Sequence, residues 1–288
     1  MDIFLQQLFN GLVLASAYAL VAVGLTLLFG ILDIVNFAHG EFYMAGAFIA
    51  FFLTDIVGTG ILPVLLATIV VAGLVGLVIE RMALRPLLGT PPTNFILSTL
   101  GLSIILQEAV RLIFGPEPKR LPVTYLEQVF TVGGVTMDSR RIVVILVSVL
   151  LVFGLHLFIS RTQVGLAMRA MAEDQLTARL MGVAVPRIAA VTVAGSFSLA
   201  ATAGVLLGSI YLLQPTMGSG IIMKAFAAIV LGGMGNVAGA VIGAGVIGIS
   251  ESLTAAYISS SMKDIVAFLV LILVLLYRPQ GILGKRGS

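Results

Sequence analysis

The sequence predicts an all-α fold, a polytopic transmembrane helical bundle with about 8–9 membrane segments, one or two of them re-entrant. Three observations carry that expectation. Hydrophobic residues make up 59% of the 288 and charged residues 10%, against about 45–50% and about 25% in soluble domains. A soluble interior of this size cannot hide that excess, whereas acyl chains accept it. Apolar runs long enough to span recur along the chain; a span needs about 20 residues at about 1.5 Å each. Charged residues fall in short clusters between those runs, and no separate soluble unit interrupts residues 1–288, which read as one transmembrane domain.

The candidate segments are 8–29, 34–53, 61–79, 93–114, 142–159, 188–212, 219–235, 237–258 and 262–277. The first is expected to be a retained helix, because Met1-Asp-Ile-Phe-Leu-Gln-Gln7 lacks the positive region of a signal peptide. The second and seventh look unusual. Asn36, His39 and Glu41 crowd the start of 34–53, while 219–235 is short, contains Lys224 and ends in Gly232-Gly-Met-Gly-Asn236. Irregular backbone at membrane depth survives only when buried in protein or lining a wet cavity.

Basic residues orient the chain. Arg81 and Arg85, then Arg161, Arg169, Arg179 and Arg187, then Arg278, Lys285 and Arg286 mark three cytoplasmic stretches, the last being the C-terminus. Loop 115–141 then lies outside despite Lys119, Arg120, Arg140 and Arg141; its acids Glu117, Glu127 and Asp138 count weakly in this rule. No Lys or Arg precedes Arg81, so the N-terminus is outside if 34–53 crosses and inside if it is re-entrant; the expectation is outside. A five-residue echo between Asn36-Phe-Ala-His-Gly and Asn236-Val-Ala-Gly-Ala is too short to define a repeat.

Loop 160–187 reads as short helices. Thr162 or Ser160 caps the first, Asp174 caps a second with Gln175 and Arg179 paired at i,i+4, and Gly182 ends it before Pro186. Leu166, Met168 and Met171 form one apolar face; Leu176, Leu180 and Met181 form another. Such faces suit either docking into a partner's groove or lying on the inner leaflet.

Asp33-Ile-Val-Asn-Phe-Ala-His-Gly-Glu-Phe-Tyr43 has two readings: a solvated loop, or polar groups facing a cavity at membrane depth. The third feature, Gly232-Gly-Met-Gly-Asn236 with Gly239, Ala240, Gly243, Ala244 and Gly245, is a small-residue face for close helix packing. It borders a substrate path only if Glu251 shares its cavity, and the sequence offers Glu251 no basic partner. Glu108 and Arg111 form an i,i+3 pair, and Lys224 is placed to snorkel.

Several chemistries are excluded. There is no Cys, hence no disulfide or thiolate site, and His39 and His156 alone do not make a histidine metal site. No nucleic-acid signature accompanies the net charge of +3. Gly-x-x-x-x-Gly-Lys-[Ser/Thr] is missing, so the chain is expected not to hydrolyse nucleotide and not to be an enzyme.

Four blocks together carry a resemblance over the whole chain: Asp33-Ile-Val-Asn-Phe-Ala-His-Gly-Glu-Phe-Tyr-Met-Ala-Gly46; Arg169-Ala-Met-Ala-Glu-Asp174 with Leu180-Met-Gly182; Gly232-Gly-Met-Gly-Asn236 with Gly239-Ala240; and Tyr277-Arg-Pro-Gln-Gly-Ile-Leu-Gly284. The sequence resembles the permeases of bacterial ABC importers for branched-chain amino acids, the Liv-type H subunit. The resemblance implies an inner-membrane importer containing a second homologous permease and two ATP-binding cassette subunits, with a periplasmic substrate-binding protein. ATP is then used by those partners, and this chain needs no cofactor. Arg169, Glu173, Asp174, Arg179 and Gly182 fall in the resembled ATPase-coupling loop. Asn36, His39, Glu41, Asn236 and Glu251 are the candidate substrate-pathway residues. Related permeases carry urea or short amides, and an ion-coupled carrier is the competing class. That class needs an ionisable relay within its spans.

Overall fold

The computed structural model describes residues 2–123, 128–132 and 134–284. Glu127, Lys285 and Arg286 lie outside the described residues. Eleven α-helices follow one another: α1 (Asp2–Leu32), α2 (His39–Val57), α3 (Ile61–Ile79), α4 (Pro92–Phe114), α5 (Ser139–Arg161), α6 (Gln163–Glu173), α7 (Gln175–Leu180), α8 (Val185–Gly208), α9 (Met217–Gly232), α10 (Val237–Tyr257) and α11 (Lys263–Tyr277). An antiparallel hairpin of β1 (Val129–Val132) and β2 (Val135–Asp138) precedes α5. Eight helical stretches among the described residues are long and apolar enough to cross a membrane. The chain is therefore an all-α polytopic membrane bundle, with the small hairpin as an addition.

The helices form because a spanning backbone must pair its own N–H and C=O groups. Their burial then sorts them. α1 and α8 are apolar on all sides and are the buried posts of the bundle. α4, α5 and α11 present Ile104, Ile105, Leu150, Phe153, Ile272 and Leu276 outward, the distribution of helices that meet lipid or another chain.

Two expected segments differ in a way that matters. Segment 34–53 becomes a helix only at His39, and 33–38 runs irregularly, with Asp33 at φ +55. Segment 219–235 becomes α9, 16 residues preceded by an irregular 209–216. In that connection Leu213 exchanges two backbone hydrogen bonds with Lys119, at 3.0 and 2.7 Å. At about 1.5 Å per residue α9 is too short to cross the whole core.

α1 lies against α10, with Gly11 beside Ile249 and Gly248 beside Ala15, so the two run antiparallel. α8 lies against α3 in the same sense: Gly76 meets Ala194 and Phe197, and Ser198 Oγ donates to the Ile69 carbonyl at 3.0 Å. α2 follows α8, with Gly46 on Ala201 and Gly204 on Tyr43, and α9 follows α1. Each half is thus a long buried helix, an irregular connection, and a helix that begins inside the bundle. This arrangement sets the α1–α2 connection against the α8–α9 connection. The sequence echo pointed instead to Asn236, which lies at the α9–α10 turn.

Gln6 Nε2 donates to the Thr136 carbonyl at 3.1 Å and Gln6 Oε1 accepts from Thr136 N at 2.8 Å, so α1 begins at the hairpin. At its other end the Ile31 carbonyl accepts from Gln175 Nε2 at 3.2 Å. The hairpin and the α6–α7 unit therefore sit at opposite ends of the bundle.

Candidate functional site

Asn36, His39 and Glu41 lie inside the bundle, at 1%, 0% and 1% exposure, which removes the solvated-loop reading. His39 Nε2–H donates to the Val21 carbonyl at 3.1 Å, and Ser196 Oγ donates to the Gly24 carbonyl at 2.7 Å beside the His39 ring. Phe42 stacks on Phe197 with centroids 3.4 Å apart. These contacts pin the start of α2 to the crossing of α1 and α8. Asn36 Oδ1 accepts from Ala38 N at 3.0 Å and shapes the turn that opens α2. Glu41 points the other way, as its two-residue offset from His39 requires, and its Oε1 accepts from Ser103 Oγ of α4 at 3.1 Å.

Glu251 lies elsewhere, six residues before the end of α10. It gains the partners that the sequence did not reveal: Lys224 Nζ at 2.8 Å and Lys263 Nζ at 3.3 Å, both on Oε1, with Tyr18 Oη–H donating to Oε2 at 2.8 Å. Lys224 also reaches Asp264 at 3.0 Å. Lys224 is 14% and Glu251 3% exposed, whereas Lys263 and Asp264 are 41% and 53% exposed, so Lys224 runs between a buried carboxylate and a partly exposed one in an ion network joining α1, α9, α10 and α11. The available signal was two opposite charges inside neighbouring apolar segments, which at membrane depth tend to find one another.

Asn236 sits at a third place. Its Oδ1 accepts from Gly239 N at 3.0 Å, capping α10, and its Nδ2 donates to the Leu283 carbonyl at 3.2 Å. The stretch 278–284 folds back there, with Ile282 N and Leu283 N donating to the Leu231 and Gly232 carbonyls at 2.8 and 3.0 Å. The five candidate pathway residues thus occupy three separate sites. In the small-residue face Gly239 meets Gly232 and Gly243 meets Ala228, while Gly245 has open space and is no part of the close packing.

Thr162 Oγ1 caps α6 from Gly165 N at 3.0 Å, and Asp174 Oδ1 caps α7 from Thr177 N at 2.7 Å. Gly182 takes φ +89 and Val183 N returns to the Ala178 carbonyl at 3.0 Å, closing the C-cap. Gln175 does not pair with Arg179; it reaches Ile31. Arg169 donates to the Ile159 carbonyl at the end of α5. Met168 and Met171 are spent inside the bundle at 3% and 2% exposure, so α6 is stapled down. Leu176 and Leu180 of α7 and Met181 just after it stay 69%, 79% and 81% exposed, and Arg179 is exposed beside them. Glu173 lines an open cavity of about 640 Å³ with Gly30, Gly235, Asn236 and Gln280. Among the described residues no three His, Cys, Asp or Glu side chains gather to hold a metal.

The family model described as "Branched-chain amino acid transport system / permease component" matches residues 7–275. The high-affinity branched-chain amino acid transport system permease protein BraD of Pseudomonas aeruginosa is 43% identical over 98% of this chain and 96% of its own length. The corresponding permease protein LivH of Escherichia coli is 41% identical over the same shares. The solved structure of PsaBC from Streptococcus pneumoniae in complex with Fab is similar in fold, with TM-score 0.52 and 13% identity over 96% of this chain and 92% of that one.

Proposed function

The chain belongs to the family of branched-chain amino acid transport permeases, and on that premise we propose that it is the membrane-spanning subunit of an ATP-driven importer for leucine, isoleucine and valine. The observation that carries the reading is 43% and 41% identity, over nearly the whole chain, to permeases named for that transport. Those names favour branched-chain amino acids over urea or short amides. They also favour a transport subunit over an enzyme.

The partners follow from this reading. Separate ATPases supply the energy, a second permease completes the path, and a periplasmic binding protein delivers substrate. α7 is the ATPase contact: three large apolar side chains exposed beside Arg179 on a unit stapled to the ends of α1 and α5 suit a partner's groove. Placing α7 in the cytoplasm puts the hairpin and the start of α1 in the periplasm and the stretch 278–284 in the cytoplasm. ATP binding moves α7, and through Gln175 and Ile31 it moves α1, which shifts the bundle between outward- and inward-open states. Asn36, His39 and Glu41 border the path; Asn236 and Glu251 hold the helices that move.

The test is uptake of tritiated leucine by proteoliposomes holding this chain with the subunits that co-purify in mild detergent. ATP-dependent accumulation that requires the binding protein is expected. Leucine movement by the chain alone, without ATP, overturns the reading in favour of a secondary carrier.

A further inference from the structure

The first turns of α2 and α9 meet inside the bundle. Gly40 and Gly218 approach so closely that neither has room for a Cβ. One on Gly40 falls 2.8 Å from Ile222 Cβ, and one on Gly218 falls 2.7 Å from Glu41 Cδ. Two helix N-termini, each a partial positive charge, therefore converge beside the Glu41 carboxylate. Glu41 Oε2, 99% buried with its residue, has no hydrogen-bond partner. No cation among the described residues pairs with it, in contrast to Glu251. A carboxylate removed from water with an empty oxygen is costly to hold unless something else completes it.

Five residues earlier, a complementary group is also incomplete. Asn36 Nδ2 is buried and has no acceptor, while its Oδ1 is engaged by Ala38 N. The orphans are thus one strong acceptor and one amide donor, flanking the turn that opens α2.

α4 lies against this turn and against Glu41. Thr99 Oγ1 accepts from Phe37 N at 3.3 Å, and Ser103, one turn on, donates to Glu41. Only Phe95, Thr99 and Val110 of α4 are buried; most of its surface faces away from the bundle. Displacing this one helix removes the Ser103 hydrogen bond from the Glu41 carboxylate and the Thr99 contact from the turn at Phe37.

We propose that the crossing of α2 and α9 under α4 is a binding site for the zwitterionic head of the transported amino acid. Glu41 Oε2 accepts from the α-ammonium, and Asn36 Nδ2 donates to the α-carboxylate. This deepens and rests on the reading of the chain as a branched-chain amino acid permease. Ile222, at the same crossing, supplies apolar surface for the aliphatic side chain. In the present conformation α4 closes the site, and opening it is part of the transport cycle.

The assay uses the complete complex in proteoliposomes, reading leucine delivered per ATP hydrolysed, the KM for loaded binding protein, and ATPase stimulation. Glu41→Gln and Asn36→Ala are each read against the native complex. Leucine per ATP is expected to fall on the order of tenfold, the factor for losing one hydrogen bond to a charged group. Glu41→Asp should recover part of the loss. Unchanged leucine per ATP in both variants overturns the site.

A second measurement serves if Glu41→Gln does not assemble. The chain has no Cys, so Asn36→Cys gives a single thiol in this subunit for a cationic methanethiosulfonate reagent. Labelling in at least one nucleotide state, with protection by leucine, is expected. Absence of labelling in nucleotide-free, ATP-bound and vanadate-trapped complexes rejects the site. A native complex that accumulates no leucine instead refutes the functional reading, and this inference falls with it.

Discussion

Removing one partner of the Lys224–Glu251 pair should destabilise the bundle more than removing both. Replace Lys224 with Met, and Glu251 keeps a charge at 3% exposure. Breaking a buried pair from one side costs about 3–5 kcal/mol, because an uncompensated charge remains inside. Here part of the compensation survives: Lys263 stays 3.3 Å from Glu251 and is 41% exposed, and the Tyr18 hydroxyl still donates at 2.8 Å. The low end, about 3 kcal/mol, is therefore expected. Glu251→Gln should cost less, about 1–2 kcal/mol, since the amide oxygen still accepts from Tyr18 or Lys224 and Asp264 still faces Lys224 at 3.0 Å. The double change Lys224→Met with Glu251→Gln removes both charges, leaves the amide oxygen to accept from Tyr18, and should fall within about 1 kcal/mol of the native protein. The assay is a double-mutant cycle by reversible unfolding in mixed micelles, with melting in detergent as a second readout. At about 2 °C per kcal/mol for a chain of this size, Lys224→Met lowers the melting point by about 6 °C. Strictly additive effects across the cycle, or a double variant worse than either single one, refute the argument that these two charges stabilise each other.

Other positions discriminate equally well. Gly218→Ala drives a methyl group into Glu41 and should cost about 1–3 kcal/mol. Gly220→Ala, two residues on with nothing within 4 Å, should stabilise by about 0.5–1 kcal/mol; the two melting points, compared side by side, check the close approach. Leu180→Asp with Met181→Asp should abolish co-purification of the ATPase without shifting the melting point, because both side chains are about four-fifths exposed; a lowered melting point marks α7 as part of the packed bundle instead. Ile3→Cys should react in intact cells with a membrane-impermeant maleimide, and Leu180→Cys only after permeabilisation; the reverse pattern inverts the topology.

The sequence by itself determined the class of this protein and most of its helices. Composition demanded lipid, and the spacing of apolar runs placed the segments. The α6–α7 unit was legible because its signals are local: Thr162, Asp174 and Gly182 act on backbone groups no more than a few residues away. What the tertiary structure decided were the meetings of residues remote in the chain. Glu251 finds Lys224 27 positions away and Tyr18 233 away, and no periodicity encodes either. Asn236 was read as part of a turn near a path, yet its amide holds Leu283. The polar start of α2 was ambiguous between solvent and interior for the same reason. Asn36, His39 and Glu41 look alike in either place, and only the crossing of α1, α8 and α9 over them, with α4 as cover, takes them out of water. Local hydrogen-bonding rules fix caps and spans, whereas the surroundings of an interior charge depend on which helices pack against it.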